Sequence, residues 1–199
     1  MRPLPLALLV LLAACRTGTE TPQPVAMTEE SLGHYCQMNL LEHPGPKAQV
    51  HLKDMLGPLF FSQVRDAIAY QRMPEQAAEI TAIYVSDMAA APGWDDPGAD
   101  NWMALSDAVF VTGSDRDGGM GAPEVVPFSD PQAAEDFIRA HGGQAVRLDE
   151  IPDAELLAAR DKPVQTGPAQ TEPAPIVDDA EPDYAARLRA LSTAGKDAK

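Results

Sequence analysis

Residues 60–73, FFSQVRDAIAYQRM, decide the fold because a matching stretch, PFSDPQAAEDFIRAHGG, follows at residues 127–143. In each stretch a Phe-Ser pair precedes a segment whose apolar residues recur with the period of a helix. A serine or aspartate side chain can accept a hydrogen bond from the amides of a helix's first turn. We therefore predict two helices, the first capped by Ser62 and the second by Ser129 or Asp130.

Candidate strands surround both helices in the same order, with two strands before each helix and one after it. Alternating apolar, β-branched and aromatic residues mark these segments. The clearest are AQVHLKDM (48–55), ITAIYVSDM (80–88), WMALSDAVFVTGS (102–114), EVVPFS (124–129) and QAVRLDEI (144–151). The sequence thus predicts an α+β fold of two tandem β-β-α-β units, residues 32–94 and 95–157, forming one compact globular region.

Both ends of the chain differ in composition from this region. Residues 1–14, MRPLPLALLVLLAA, join one arginine to an apolar run too short to span a bilayer, which is typical of a secretory signal peptide. Residues 15–31 are polar and contain two prolines, so a flexible spacer is predicted there. Residues 158–199 are rich in proline, acidic and small residues, and a disordered tail is predicted.

The segment LAAC, residues 12–15, resembles a bacterial lipobox, in which the cysteine thiol takes a diacylglycerol. Cys15 is therefore the predicted lipidation site, and several acyl chains on one residue attach a protein lastingly to a lipid bilayer. The alternative is an ordinary cleaved signal in which Cys15 has no role. Because no aspartate follows Cys15, we expect an outer-membrane anchor facing the periplasm.

The charge balance limits the classes of partner. The chain has 15 Lys+Arg against 30 Asp+Glu and a formal net charge of −15. Such a chain repels phosphate, which argues against nucleic acid and against adhesion to anionic lipid through charge. It is compatible with attraction of cations or of a basic partner. Because no Ser-His-Asp ordering, paired-carboxylate motif or phosphate loop stands out, a binding protein is favoured over an enzyme.

Soft sulfur donors are the distinctive chemical groups of the chain. Because lipidation uses the thiol of Cys15, Cys36 is predicted to be a lone thiol in an oxidising compartment. Met38 follows it in HYCQMN, and on an extended backbone side chains two positions apart face the same way. Met120 lies in the glycine-flanked loop DGGMG, where we expect it to be exposed. Thiolate and thioether donors select Cu(I) over hard cations, so Cys36, Met38 and Met120 are predicted to form a three-coordinate Cu(I) site.

Each of these residues also has a simpler interpretation. Cys36 can serve as a small buried apolar residue, and Met120 can fill a gap between loops. His34 is a candidate fourth or alternative ligand. If Cys36 were instead the nucleophile of a thiol-dependent enzyme, organometal lyase-like or redox, His34 would be its nearest base in sequence.

A third alternative is a scaffold protein that binds calcium at the acidic run DRDGG. This run is too short for an EF-hand calcium loop.

The lipoprotein signal, the C-x-M segment, the glycine-flanked methionine and the Pro-Phe strand before a helix together resemble the NosL family. These proteins are copper chaperone lipoproteins that accompany nitrous oxide reductase, and the resemblance covers residues 1 to about 157. It implies paired β-β-α-β units and a Cu(I) site built from Cys36, Met38 and Met120. It also implies copper delivery through a membrane ABC-type transporter complex towards the copper-sulfide cluster of nitrous oxide reductase. The chain departs from the family pattern at Gln37, where glycine is expected.

Overall fold

The computed structural model describes residues 21–157. The predicted signal peptide, the predicted lipidation site Cys15 and the predicted tail therefore lie outside the described residues. The helices and strands, in chain order, are β1 (Ala48–Leu52), β2 (Leu59–Phe61), α1 (Val64–Arg72), β3 (Ile80–Ser86), β4 (Trp102–Ala104), β5 (Val109–Thr112), β6 (Val126–Phe128), α2 (Pro131–His141), β7 (Gln144–Val146) and α3 (Asp153–Leu157).

The two β-β-α-β units form two antiparallel sheets with the same internal order. The strands follow the order β2-β1-β3-β4 in the first sheet and β6-β5-β7 in the second. In each unit the first strand is flanked by the strand before the helix and the strand after it. This arrangement confirms the predicted α+β fold.

The chain between the two units differs from the prediction, which placed residues 102–114 in one strand of the second unit. Trp102–Ala104 instead extends the first sheet by pairing with β3. A 3₁₀ helix at Leu105–Asp107 then turns the chain, and Val109–Thr112 starts the second sheet. Ser106 and Asp107 are residue types that favour turns. Leu105 is buried in the hydrophobic core of the protein. One apparent strand is thus divided between two sheets.

The helix starts show why only one predicted cap is confirmed. The Asp130 carboxylate accepts a hydrogen bond from the Gln132 amide at 2.9 Å, so Asp130 caps α2. The predicted cap Ser62 is wrong, because α1 begins one residue later and its capping position is Gln63. The Arg65 amide in the first turn of α1 is instead satisfied at 3.1 Å by Glu124, which comes from the second unit.

One hydrophobic core joins the two units. It combines Val50 and Ile68 of the first unit with Phe110 and Val125 of the second, all of them almost fully buried. A smaller cluster under α2 contains Val111, Val126, Phe128 and Ala134. Because the main core takes side chains from both units, the described residues belong to one structural unit.

The end of the predicted spacer packs against the first sheet. The buried Gln49 amide bonds both backbone groups of Val25, at 2.9 and 3.0 Å, and the Tyr84 hydroxyl donates to the Pro22 carbonyl at 2.7 Å. Met27 of the same segment is also buried, and its amide donates to the Ala99 carbonyl at 2.8 Å. Because these contacts are made largely to backbone atoms, they could not be predicted from the polar composition of this segment.

Across residues 21–157, no helix has both the length and the apolar character needed to cross a membrane.

Candidate metal centre

The C-x-M segment forms the turn of a small hairpin that covers residues 32–39. The Gly33 amide donates to the Met38 carbonyl at 3.0 Å, and the Gln37 amide closes the turn by donating to the Gly33 carbonyl at 2.8 Å. The prediction that Cys36 and Met38 share an extended backbone is therefore wrong. Cys36 lies within the turn, and Met38 lies where the chain returns from it. Below, these residues are called the Cys36 hairpin.

The backbone at Gln37 explains why glycine is expected between the cysteine and the methionine. Gln37 has φ of 55°, in the left-handed region that side chains disfavour and glycine tolerates. Its side-chain amide donates to the carbonyls of His34, at 2.7 Å, and Gly33, at 3.3 Å. These bonds within the turn offset part of the conformational cost, which allows glutamine to occupy the position.

The Cys36 thiol lies close over the backbone of Gly33. A Cβ atom added to Gly33 would collide with Cys36 Sγ. The half-buried thiol donates to the hydroxyl of Ser62 across 3.7 Å, an acceptable distance for sulfur, and Ser62 itself is buried. The residue predicted to cap a helix thus contacts the thiol instead.

Aromatic side chains support the tip of the Cys36 hairpin. The His34 amide donates to the Phe60 carbonyl at 2.6 Å, and the His34 ring lies 5.2 to 5.7 Å from the rings of Tyr35, Phe61 and Tyr70. Burial raises the pKa of the Tyr35 hydroxyl, which contacts Met73 Sδ at 3.6 Å. The sequence offers His34 as an alternative ligand or as a base, and in the structure its ring packs within an aromatic cluster.

Met120 lies in a second hairpin, residues 117–123, called here the Met120 hairpin. The Gly118 amide donates to the Ala122 carbonyl at 2.9 Å, which closes the loop. The Met120 amide donates to Gln63 Oε1 at 3.2 Å, and Gln63 Nε2 donates to the Ala122 carbonyl at 3.4 Å. The Met120 side chain is exposed, as expected, with 44% of its surface accessible.

The two hairpins meet on the dipeptide Ser62-Gln63, which connects β2 to α1. The Ser62 hydroxyl contacts the Cys36 thiol, and the Gln63 side chain holds the backbone of Met120. A Cβ on Gly119 would lie 2.9 Å from the Ser62 carbonyl, so the Met120 hairpin approaches this dipeptide closely. Two segments far apart in sequence therefore share one buried support.

Two buried ionisable side chains, Lys47 and Glu124, lie near the Met120 hairpin. Burial raises the pKa of Glu124 to about 8 and lowers the pKa of Lys47 to about 8. The Lys47 ammonium donates to the carbonyls of Pro44 and Gly45, and Glu124 accepts from the amides of Arg65 and Val125. Each group thus has backbone partners that reduce the cost of its burial.

Sequence reasoning missed the contributions of Gln63, Glu124 and Lys47. Their side chains are almost fully buried, although polar residues of these types are usually exposed. The partners of Gln63 and the Arg65 amide that Glu124 accepts from lie 57 to 59 positions away, so neither spacing nor periodicity reveals them. Lys47 instead bonds nearby carbonyls, and only the fold shows that its side chain is buried.

Sulfur atoms are the soft donors that the two hairpins present. Met38 and Met120 are 41% and 44% exposed, and Cys36 is half-buried. Within residues 21–157, no three His, Cys, Asp or Glu side chains come together in a group that could hold a metal ion. The Cys36 thiol donates its hydrogen bond to the Ser62 hydroxyl, while the neighbouring His34 ring packs against aromatic rings.

Comparison with known proteins gives a consistent family relationship. Residues 24–156 match the model of the NosL family. The chain is 55% identical over 187 residues to the copper-binding lipoprotein NosL of Achromobacter cycloclastes, covering 93% of this chain and 91% of the relative. It is 30% identical over 159 residues to the copper-binding lipoprotein NosL of Stutzerimonas stutzeri, covering 76% and 82%. The crystal structure of the copper chaperone NosL from Shewanella denitrificans matches with a TM-score of 0.62 at 33% identity, covering 66% of this chain and 97% of that chain.

Proposed function

This chain belongs to the NosL family, and from that premise we propose that it is a lipid-anchored Cu(I) chaperone whose ligands are Cys36, Met38 and Met120. Two relatives are named copper-binding lipoproteins, and the solved structure is named a copper chaperone. The observation that carries the ligand assignment is the shared support, on which neighbouring residues Ser62 and Gln63 contact the Cys36 thiol and the Met120 amide.

The proposed donor set suits a monovalent soft metal. On binding Cu(I), the Cys36 thiol loses its proton and the thiolate forms the bond to copper, while the two thioethers add neutral donors. The Ser62 hydroxyl, which accepts from the thiol in the metal-free protein, can then turn and donate to the thiolate. Such a bond would orient the ligand without itself contacting copper.

The exposure of the methionines favours a carrier over a permanent store. A receiving protein must bring its own ligand to the metal, and 41% and 44% exposure of Met38 and Met120 leaves their side chains accessible. Three further exposed apolar side chains lie on the Cys36 hairpin or just after it, namely Leu32, Tyr35 and Leu41. Exposed apolar side chains of this kind favour contact with another protein.

The proposed destination of the copper is the copper-sulfide cluster of nitrous oxide reductase, reached through a membrane ABC-type transporter complex. This route is proposed from the resemblance of the sequence to the NosL family, because the copper chaperones of that family accompany nitrous oxide reductase. In a cell that lacks this chaperone, the reductase is expected to accumulate without its copper-sulfide cluster, and the intact chain should restore the cluster whereas Cys36→Ala should not. Normal cluster content in the deletion strain at limiting copper would exclude the proposed role.

The experiment that tests the site is a competition titration of the reduced mature protein with a Cu(I) chelator. We expect one Cu(I) to bind, much more tightly than Zn(II), and Cys36→Ala to abolish tight binding. Met120→Ala should weaken binding less, because one neutral donor is lost. Met55→Ala is the matched control, since Met55 is 52% exposed and lies in the β1–β2 connection. Unchanged affinity in Cys36→Ala would overturn the assignment.

A further inference from the structure

Helix α1 and the Met120 hairpin exchange hydrogen bonds where the helix begins. Gln63 occupies the capping position of α1, but its side chain bonds the hairpin instead of the helix. Glu124, just after the hairpin, supplies the missing acceptor by binding the Arg65 amide at 3.1 Å. The Arg65 guanidinium in turn donates to the Pro123 carbonyl at 3.0 Å. This exchange fixes the hairpin to the helix at several points.

Gln63 is the member of this exchange that contacts the backbone of Met120 itself. Its side chain is only 1% exposed, and both ends of its amide are used, Oε1 by the Met120 amide and Nε2 by the Ala122 carbonyl. A Cβ on Gly118 would collide with Glu124 and leave only 2.6 Å to Gln63 Nε2, so the hairpin backbone lies directly on this side chain. A buried amide with two backbone partners permits few other positions of the hairpin.

We propose that Gln63 is a positioning residue of the copper site, which sets the place of Met120 relative to Cys36 by holding the backbone of the Met120 hairpin. The inference rests on the proposed function, since it takes Met120 as a ligand. The preceding residue, Ser62, contacts the Cys36 thiol, so a displacement of the hairpin relative to Gln63 is also a displacement relative to the thiol. Ligands held in place before the metal arrives bind it more tightly than ligands that must be ordered on binding.

The chain contains a matched control for this residue. Gln49 is also a fully buried glutamine, and its amide also bonds a distant backbone at both ends, through the amide and the carbonyl of Val25. Its partners are Val25 of the N-terminal segment and the ring of His51, whose Nε2 lies 2.9 Å from Gln49 Oε1, and neither residue belongs to a hairpin. Gln63→Leu and Gln49→Leu should therefore both lower the melting temperature, while only Gln63→Leu should alter copper binding.

The deciding measurement is a double-mutant cycle of Cu(I) affinity in the mature protein, using competition with a Cu(I) chelator. We expect Gln63→Leu to weaken Cu(I) binding by about three- to tenfold, the effect of hydrogen bonds of ordinary net strength. In a Met120→Ala background the same change should alter the affinity by less than about twofold, because the group that Gln63 positions is already gone. The inference is overturned if Gln63→Leu leaves the Cu(I) affinity unchanged. It is also overturned if the double variant loses the product of the affinity losses measured for Gln63→Leu and for Met120→Ala.

Two further measurements keep the test decisive. If Gln63→Leu does not fold, Gln63→Asn replaces it, because the shorter side chain keeps the amide but withdraws it from the Met120 backbone. In the metal-free protein, hydrogen exchange of the Met120 amide should become faster in the Gln63 variant and stay unchanged in Gln49→Leu, and equal exchange rates in all three proteins would overturn the inference. Tight Cu(I) binding by Cys36→Ala would instead show that the proposed function has failed, whatever the Gln63 variants do.

Discussion

The Cys36 thiol occupies the space that a side chain on Gly33 would require. The two residues lie on the same small hairpin, where the Gly33 amide also bonds the Met38 carbonyl at 3.0 Å. Glycine at position 33 therefore allows the thiol to approach the backbone and to reach the Ser62 hydroxyl. The predicted ligand is placed by the absence of a neighbouring side chain as well as by its own contacts.

Replacing Gly33 with alanine should weaken copper binding. The added methyl group would collide with Cys36 Sγ and force the thiol towards another rotamer, away from Ser62. Displacing a side chain from its preferred rotamer costs about 1 kcal/mol, so we expect a loss of roughly five- to tenfold in Cu(I) affinity. Gly57→Ala is the control, because among the described residues no atom lies within 4 Å of a Cβ built there. Equal affinities of the two variants would contradict the explanation.

Substitutions at Gln37 should separate backbone conformation from side-chain chemistry. Glycine removes the cost of the left-handed backbone at this position, about 1 kcal/mol. It also removes the side-chain hydrogen bonds to the carbonyls of His34 and Gly33. Because the two effects oppose each other, Gln37→Gly should change the unfolding free energy by less than about 1 kcal/mol. Valine combines a branched side chain with the loss of both bonds. Gln37→Val should therefore be less stable than Gln37→Gly by about 2 kcal/mol, and should bind Cu(I) more weakly. Urea denaturation and chelator competition measure both effects, and indistinguishable variants would show that the left-handed backbone is unimportant.

The buried Glu124 should make stability fall as pH rises between about 4.5 and 8. Burial raises the pKa of Glu124 from 4.5 to about 8 in the folded protein, so within this window the carboxyl ionises only in the unfolded chain. Preferential ionisation of the unfolded chain favours unfolding, by about 1.4 kcal/mol for each unit of pKa difference. Glu124→Gln should remove this dependence of the unfolding free energy on pH. The variant should therefore become more stable relative to the parent as the pH rises.

Denaturant unfolding at a series of pH values between 5 and 8 tests this slope. Lys47 contributes little to it, because burial lowers the pKa of Lys47 from 10.5 to about 8 and the resulting cost is constant at lower pH. Glu79→Gln is a suitable control, since Glu79 forms an exposed ion pair with Lys53. A constant stability difference between parent and Glu124→Gln across the window would exclude Glu124 as the titrating group.

Cys15→Ser should abolish lipid anchoring of the protein. The predicted anchor is carried by the Cys15 thiol, and serine cannot form the thioether to diacylglycerol. In fractionated cells the variant is expected in the soluble periplasmic fraction or as the uncleaved precursor, while the parent and Cys36→Ala stay with the membranes. Membrane retention of a cleaved Cys15→Ser protein would refute lipid anchoring at this residue.

The sequence by itself determined the repeated β-β-α-β order, because residue periodicity and turn chemistry are local properties. The Phe-Ser pairs before both helices and Asp130 at the start of α2 are examples, and each was recognised without long-range information. The soft donors Cys36, Met38 and Met120 are predicted from residue type, from the C-x-M spacing and the glycine-flanked loop, and from the resemblance to the NosL family. Their assignment as ligands stays a prediction until copper binding is measured.

The tertiary structure alone decided the role of Ser62 and the support of both hairpins. Ser62 is the obvious helix cap in the local sequence, yet it contacts Cys36. Glu124 instead accepts the hydrogen bond of the Arg65 amide, which lies 59 positions before it. The N-terminal segment at Val25 likewise packs against the sheet through the side chain of Gln49. The physical reason is that buried polar groups must find hydrogen-bond partners wherever the fold brings them, and pairing between distant segments leaves no periodic signal in the chain.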